Sequence, residues 1–158
     1  MPPETDINVI INVFIISLLA GLLGYERESA GKAAGLRTHI LVGIAAVLFI
    51  AIGRFIAVGF RSYGDHIRFD AANLLGAIVS GISFLAAGII IFNRNQRDVS
   101  GLTTAAGIIT TAAIGILVGL ERYILAVGST VIVFIVLRFV NAFEQKFFDN
   151  DKSQKEKE

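Results

Sequence analysis

The chain has 158 residues, of which 54% are hydrophobic and 17% are charged, and its formal net charge is +1. Soluble domains carry more charge, about 25% of their residues, so this composition indicates a membrane protein. The lack of cysteine excludes disulfides, thiol nucleophiles and thiolate metal sites, and the small net charge gives nucleic acid little to bind.

Five apolar runs have the length of about 20 residues that a helix needs to cross a bilayer. Lipid accepts only helices or closed barrels, and the alternation of barrel strands is missing, so the runs predict an all-α, polytopic membrane protein with five transmembrane helices. We expect the first run to be a retained helix rather than a signal peptide, because its first basic residue, Arg27, follows it. The predicted spans are 7–25, 40–59, 71–92, 101–120 and 123–142.

The basic residues predict the orientation, since cytoplasmic loops are enriched in lysine and arginine. The connections 26–38 and 93–100, together with the region from Arg138 onward, hold ten of the fourteen basic residues. We therefore predict the N-terminus outside and the C-terminus in the cytoplasm. Residues 1–142 are predicted to form one transmembrane domain, and 143–158 a charged, disordered cytoplasmic tail too polar to fold as a domain.

Small residues at every fourth position predict where the helices pack, because lipid gives helices no hydrophobic reason to associate. The fourth span has one such ridge and the third span has two adjoining rows, so we expect these two helices to make the tightest contact. The ridge consists of Thr103, Gly107, Thr111, Gly115 and Gly119, and the rows contain Gly76, Ser80 and Gly81.

No phosphate-binding loop, nucleophile elbow, metalloprotease motif or dinucleotide fingerprint occurs in the sequence, so enzyme chemistry would depend on carboxylates alone. We predict a protein that is not an enzyme and has no cofactor, with magnesium left open as an ion. For Asp70, before the third span, helix capping and a functional role are equally open. Arg54 is expected to extend its charge to the outer interface, with Asp65 or Asp70 as an alternative partner.

The connection from Glu26 to Thr38 places five charged side chains in thirteen residues. Glu28 and Lys32 are four residues apart and would pair on one helical face if the first helix continued that far. We predict a paired network at the cytoplasmic ends of spans one and two, joined by Arg94 or Arg97. The candidate functional residues are Glu26, Arg27, Glu28, Lys32, Arg37 and Asp70.

This connection resembles the first signature of the MgtC/SapB family of bacterial and archaeal membrane proteins. The resemblance lies in Gly21, Gly24, Glu26, Arg27, Glu28, Lys32 and the run 34–38. Two further blocks, 70–91 and 101–119, are similar to the family's aspartate-led third helix and to its fourth helix. Departures from the usual family residues indicate a divergent member and occur at Asn73, Ala77, Ser83, Ala86, Ser100 and Ile109. The charged end of the chain also leads us to expect a short member without the family's C-terminal cytoplasmic domain.

The resemblance implies a five-helix plasma-membrane protein of bacteria or archaea, linked to growth in low magnesium and, in some pathogens, to survival inside host cells. Two modes of action follow. One is a non-enzymatic regulator that binds a membrane protein such as an ATPase, and the other is a component of a magnesium or other cation transporter. We expect the regulator, because transporters place ionisable groups at the membrane midplane and here they cluster near helix ends. The expected partners are the lipid bilayer, a membrane protein and a second copy of the chain, but no nucleic acid.

Overall fold

The computed structural model describes the backbone of residues 3–61, 70–92 and 101–155, and the side chains of 6–59, 70–90 and 101–139. In these ranges the chain forms five helices and no strand, which confirms the all-α fold class. The helices are α1 (Pro3–Ser29), α2 (Leu36–Arg61), α3 (Ala71–Phe92), α4 (Leu102–Gly119) and α5 (Tyr123–Lys155). Each of α1 to α4 contains a stretch long and apolar enough to cross a bilayer, and α5 begins with a shorter apolar stretch, Tyr123–Phe139.

Helix α4 lies at the centre of the bundle. Its apolar span is 56% buried, against 33% or less for the spans of α1, α2 and α3, and it contacts all four other helices. One apolar cluster joins α4 to α1, α2 and α5, and it includes Ile16, Leu23, Val47, Ile114 and Val118. A second cluster joins α4 to α2 and α3, and it includes Ala46, Ile50, Ile78, Ile82 and Ile108.

Glycines bring α4 directly against the backbone of α2. A Cβ atom added at Gly115 would lie 2.7 Å from the carbonyl oxygen of Gly43 and 2.8 Å from the Cβ of Ala46. One added at Gly119 would lie 2.9 Å from the Cβ of Ile50. Close approach of this kind is how helices gain packing energy in lipid, and the small-residue ridge of α4 therefore faces α2.

The expectation that α3 and α4 make the tightest contact through their small residues is wrong. Gly76, Ser80 and Gly81 are exposed, and no other helix within the described residues comes within 4 Å of a Cβ added at either glycine. Helix α3 instead enters the second apolar cluster through Ile78 and Ile82. These branched side chains have far more apolar surface to pack than the small residues, so the small-residue rows of α3 face outward.

Helix α1 runs past its apolar stretch and ends in a glycine-capped turn. Gly31 has a φ of 65°, and its N–H donates to the carbonyl of Glu28, while the N–H of Lys32 donates to the carbonyl of Arg27, each at 3.0 Å. This pair of bonds is the Schellman motif that ends many helices. Because α1 stops here, Glu28 and Lys32 do not lie one turn apart on a continuous helix.

Helix α5 is longer than the fifth predicted span and continues to Lys155. The segment 143–155, expected to be disordered, is therefore helical, whereas 156–158 lie outside the described residues. Lysine, glutamine and glutamate are good helix formers, and a helix already begun in the apolar half extends without a new nucleus.

Candidate functional site at the end of helix α1

An arginine with no exposed surface lies near the C-terminal end of α1. The side chain of Arg27 is 0% exposed and that of the adjacent Glu26 is 8% exposed. The guanidinium holds the carboxylate with two nitrogens: Nε donates to Oε2, and Nη2 donates to Oε1 at 2.9 Å. Bidentate ion pairs of this kind are among the strongest charge-assisted hydrogen bonds. This one compensates two charges that would otherwise be buried alone.

The same guanidinium also contacts the neighbouring helix α5. Its Nη2 also donates to the backbone carbonyl of Leu137, at 3.2 Å. The side chain of Leu137 is buried in the first apolar cluster. Arg27 therefore ties the first helix to the last one, across 110 positions of sequence.

His39, in the first turn of α2, faces the same interior and is fully buried. Its Nδ1 lies 3.0 Å from the carbonyl oxygen of Gly35. A carbonyl oxygen can only accept a hydrogen bond, so Nδ1 carries the proton and Nε2 of the neutral ring is an acceptor. The Nε2 atom lies against α4, where a Cβ added at Gly107 would be 3.5 Å away.

We refer to Glu26, Arg27 and His39 as the Arg27 cluster. Among the residues that the structure describes, Nη1 of Arg27 and Nε2 of His39 are buried without a hydrogen-bond partner. An unpaired buried polar group costs about 1–3 kcal/mol. The cluster can therefore donate up to two further hydrogen bonds from Nη1 of Arg27 and accept one at Nε2 of His39, either with water or with a polar group of a bound molecule.

The Arg27 cluster is not arranged to bind a metal ion. Within the described ranges, no three histidine or acidic side chains converge as metal ligands would. Both oxygens of Glu26 accept hydrogen bonds from Arg27, whose positive charge balances that of the carboxylate. The cluster therefore offers hydrogen-bonding groups whose net charge is zero.

Glu28 follows the Arg27 cluster in sequence but is exposed and acts on the backbone of the next helix. Its Oε2 accepts a hydrogen bond from the N–H of Leu36 at 2.8 Å, and so caps the N-terminus of α2. Gly35 leaves room for this contact, since a Cβ there would lie 2.7 Å from the same oxygen. A carboxylate also suits the positive end of the helix dipole.

Two other members of the predicted network lie outside the Arg27 cluster. Lys32 and Arg37 are both exposed, and neither takes part in the ion pairs of the described side chains. Arg94 and Arg97, which were expected to join the network, lie outside the described residues.

Asp70 lies at the opposite end of the bundle, where α3 begins. Its Oδ1 accepts from the N–H of Ala72 at 2.9 Å and from the N–H of Asn73 at 3.1 Å. These are the contacts of an N-cap residue, so the structure places Asp70 in the capping role.

Arg54 both reaches the surface, as expected, and forms an ion pair with a partner that the sequence analysis did not consider. Its Nη1 donates to Oε1 of Glu121 at 2.7 Å. The two side chains are 54% and 44% exposed. Of the two alternatives considered, Asp70 caps α3 and Asp65 lies outside the described residues.

Sequence reasoning missed His39 and the carbonyl of Leu137. A backbone carbonyl has no residue-type signature, so the link to α5 could not be read from the chain. His39 did have a signal, because it lies four residues before Gly43 and eight before Val47, on the buried stripe of α2. A polar residue on such a stripe needs a partner inside the bundle.

Comparison with known proteins identifies the family of this chain and several relatives. Residues 14–146 match the family model described as MgtC family. The chain is 39% identical to "Putative magnesium transporter YhiD" of Escherichia coli (strain K12) over 128 residues, which cover 81% of the chain and 58% of that protein. It is 32% identical to SapB of Bacillus subtilis over 136 residues, covering 85% and 57%. It is 36% identical to MgtC of Salmonella typhimurium over 124 residues, covering 78% and 48%.

The chain spans about half the length of the curated relatives it matches. No solved structure matches it.

Proposed function

This chain belongs to the MgtC family, and we propose that it is a non-enzymatic regulator of magnesium homeostasis in the bacterial or archaeal plasma membrane. In this proposal it acts by binding another membrane protein rather than by carrying the ion. The length and composition of its helices, together with its family, make it a multi-pass membrane protein. Magnesium enters the proposal through the name of the Escherichia coli relative.

The observation that carries the choice of regulator is the pairing of Glu26 with Arg27. Magnesium is held by oxygen ligands in octahedral geometry. Both oxygens of Glu26 already accept hydrogen bonds from Arg27, so the charge of the carboxylate is balanced within the pair and attracts a cation only weakly. This end of the bundle is therefore better suited to holding helices together than to passing ions.

The outward face of α3 supports the binding of a partner. Only 17% of the α3 span is buried, the least of the four spans. Gly76, Ser80 and Gly81 on this face leave the helix surface low enough for a second helix to approach closely. We propose that a transmembrane helix of the regulated protein, such as an ATPase, packs here. A second copy of the chain is the alternative occupant of the same face.

A cation transporter component remains the second candidate, because the relative at 39% identity is named for magnesium transport. The two candidates differ in one measurable property. A transporter component moves magnesium, on its own or with its complex, whereas a regulator changes growth in low magnesium without any flux of its own.

The test measures both properties on the full chain. In sealed proteoliposomes with a magnesium dye inside, we expect no more flux than in empty vesicles. In cells that lack their own family member, we expect the chain to restore growth in low magnesium. Saturable magnesium flux through the purified, folded chain would contradict the proposal.

The role of α3 is tested by Gly76→Leu combined with Gly81→Leu. We expect this double variant to keep its helicity in detergent micelles but to lose growth complementation, because the leucines block the approach of a partner helix. The matched control is Val131→Leu, on an exposed part of α5, which should complement fully. Complementation by a folded double variant would show that the α3 face is not the binding surface.

A further inference from the structure

A cavity of about 110 Å³ lies at the end of the bundle opposite the Arg27 cluster. It is bounded by the start of α1, the end of α2 and the turn that joins α4 to α5. Apolar side chains such as Val47 and Ala51 form part of the lining. The polar part is formed by Asn8, Asn12, Arg54 and Glu121.

Asn12 gives the cavity a buried polar group. It is 3% exposed although it lies well inside the apolar span of α1. Its Oδ1 accepts a hydrogen bond from the hydroxyl of Tyr123 at 2.9 Å. With the oxygen held in this way, the amide nitrogen remains as a donor for a molecule in the cavity that Asn12 lines.

The Arg54–Glu121 ion pair gives the cavity one charge of each sign. Nη1 of Arg54 donates to Oε1 of Glu121 at 2.7 Å and lies 3.5 Å from the carbonyl oxygen of Gly119. These contacts use one guanidinium nitrogen and one carboxylate oxygen. The other nitrogens of Arg54 and Oε2 of Glu121 are therefore available to a third group.

The backbone at Glu121 adopts a left-handed conformation that is uncommon for a residue other than glycine. Glu121 has a φ of 62° and occupies the position of a Schellman motif at the end of α4 where glycine is preferred. Its N–H donates to the carbonyl of Val118 at 2.9 Å, and the N–H of Arg122 donates to that of Leu117 at 2.8 Å. The turn fixes the backbone of Glu121 beside the cavity, where its side chain pairs with Arg54.

We propose that this cavity binds a small zwitterion, with its ammonium group at Glu121 and its anionic group at Arg54 and Asn12. A simple cation would be opposed by Arg54, and a simple anion by Glu121, whereas a zwitterion complements both charges. The volume excludes a drug-sized ligand. A free amino acid and the headgroup of phosphatidylethanolamine share this chemistry.

The test uses saturable binding of radiolabelled glycine, β-alanine and O-phosphoethanolamine to the full chain in maltoside micelles. Native mass spectrometry of the chain with phosphatidylethanolamine or phosphatidylglycerol forms a second arm. We expect one of the zwitterions to bind with a stoichiometry of one, and acetate and ethylammonium not to compete for it. Retention of phosphatidylethanolamine without binding of the free compounds would assign the site to the lipid headgroup, and the reverse result to a soluble zwitterion.

Three variants locate the binding. Arg54→Gln and Glu121→Gln each remove one charge, and Ala51→Leu fills the cavity while both charges remain. We expect each to weaken binding at least tenfold, whereas Arg122→Gln, at an exposed neighbour outside the lining, should leave it unchanged. Circular dichroism verifies that each variant is helical, and Ala51→Leu decides the outcome if a charge variant fails to fold. Lack of zwitterion binding in both arms, equal binding in wild type and Ala51→Leu, or equal competition by acetate or ethylammonium would overturn the proposal.

Discussion

Arg27 and Glu26 are buried together, so each one spares the other the cost of an isolated charge. Moving an ion out of water costs several kcal/mol, and a bidentate ion pair recovers much of that cost. The pair also holds the carbonyl of Leu137 and so contributes to the position of α5. A single substitution in it should therefore be far more harmful than the loss of an exposed charge.

We expect Arg27→Met to destabilise the bundle by about 3–5 kcal/mol, because Glu26 is left buried without a counter-ion. The double variant Glu26→Gln with Arg27→Met removes both charges and should regain most of that loss. Helicity in maltoside micelles, followed through a denaturant titration, measures both effects. Arg37→Gln, at an exposed position of α2, is the control and should change stability by less than about 0.5 kcal/mol. If Arg27→Met were as stable to denaturant as this control, the result would contradict the structure around Arg27.

The turn after α4 allows a second prediction at the residue scale. At Glu121 the φ of 62° is costly for any residue with a Cβ. Glu121→Ala and Glu121→Gly both remove the exposed ion pair with Arg54, but only glycine removes the strain. We expect the glycine variant to be more stable than the alanine variant by about 1 kcal/mol in the same titration. An alanine variant of equal or greater stability would show that the left-handed conformation is absent from the folded protein.

Helix α4 packs against α2 through small residues. Gly115 lets the backbone of α2 approach, and Gly119 makes room for the side chain of Ile50. The hydroxyl of Thr111, on the same ridge, donates to the carbonyl of Gly107 at 2.8 Å. The ridge thus presents backbone and short side chains to a neighbour and leaves no polar hydrogen unpaired at Thr111. Glycines on α3 have no such neighbour within the described part of the chain.

This contrast predicts opposite effects of the same substitution on two helices. Gly115→Ala would bring a methyl group within 2.7 Å of a backbone oxygen, and we expect a loss of about 1–3 kcal/mol from the forced separation of α2 and α4. At Gly76 no other helix in the described part of the chain lies within 4 Å of an added methyl group, and the higher helix propensity of alanine should stabilise the isolated chain by up to about 1 kcal/mol. Denaturant titration of both variants side by side measures the difference. Equal effects would mean that the glycine ridge of α4 does not face α2.

At the level of elements, apolar run length predicted the five helices, because a bilayer fixes how many residues a helix needs to cross it. The ends were harder to place. Charged residues close an apolar run, but they do not end a helix, so α1 extends through Glu28 to the turn at Gly31. Regular spacing of small residues likewise identified a face of small side chains on α3 and on α4. The spacing does not say which helix packs against that face.

The whole bundle has two polar ends, and sequence alone distinguished them only in part. The run of charges near Arg27 marked one end, although its burial and its contact with Leu137 depend on how α5 packs, which no local pattern encodes. The other end went unnoticed as a site, because Asn12, Arg54 and Glu121 are far apart in the chain and meet only when α1, α2 and the α4–α5 turn come together.

The orientation of these two ends is the prediction that belongs to the molecule as a whole. Ten of the fourteen basic residues lie in connections and in a C-terminal region assigned to the Arg27 end, and positive charge remains on the cytoplasmic side of bacterial membranes. We expect the Arg27 cluster near the cytoplasm and the cavity at Glu121 near the outer surface. The sequence has no cysteine, so single cysteines can report the two sides.

Ala33→Cys, in the exposed turn before α2, and Leu120→Cys, in the exposed turn after α4, are separated by three predicted spans and should lie on opposite sides of the membrane. In intact cells, a membrane-impermeant maleimide should label Leu120→Cys, whereas Ala33→Cys should react only after permeabilisation. The reverse pattern would contradict the orientation, and equal labelling of both would contradict the three spans predicted between them. The expected pattern would also restrict the ligands of each end, because only the cavity at Glu121 would then be open to compounds outside the cell.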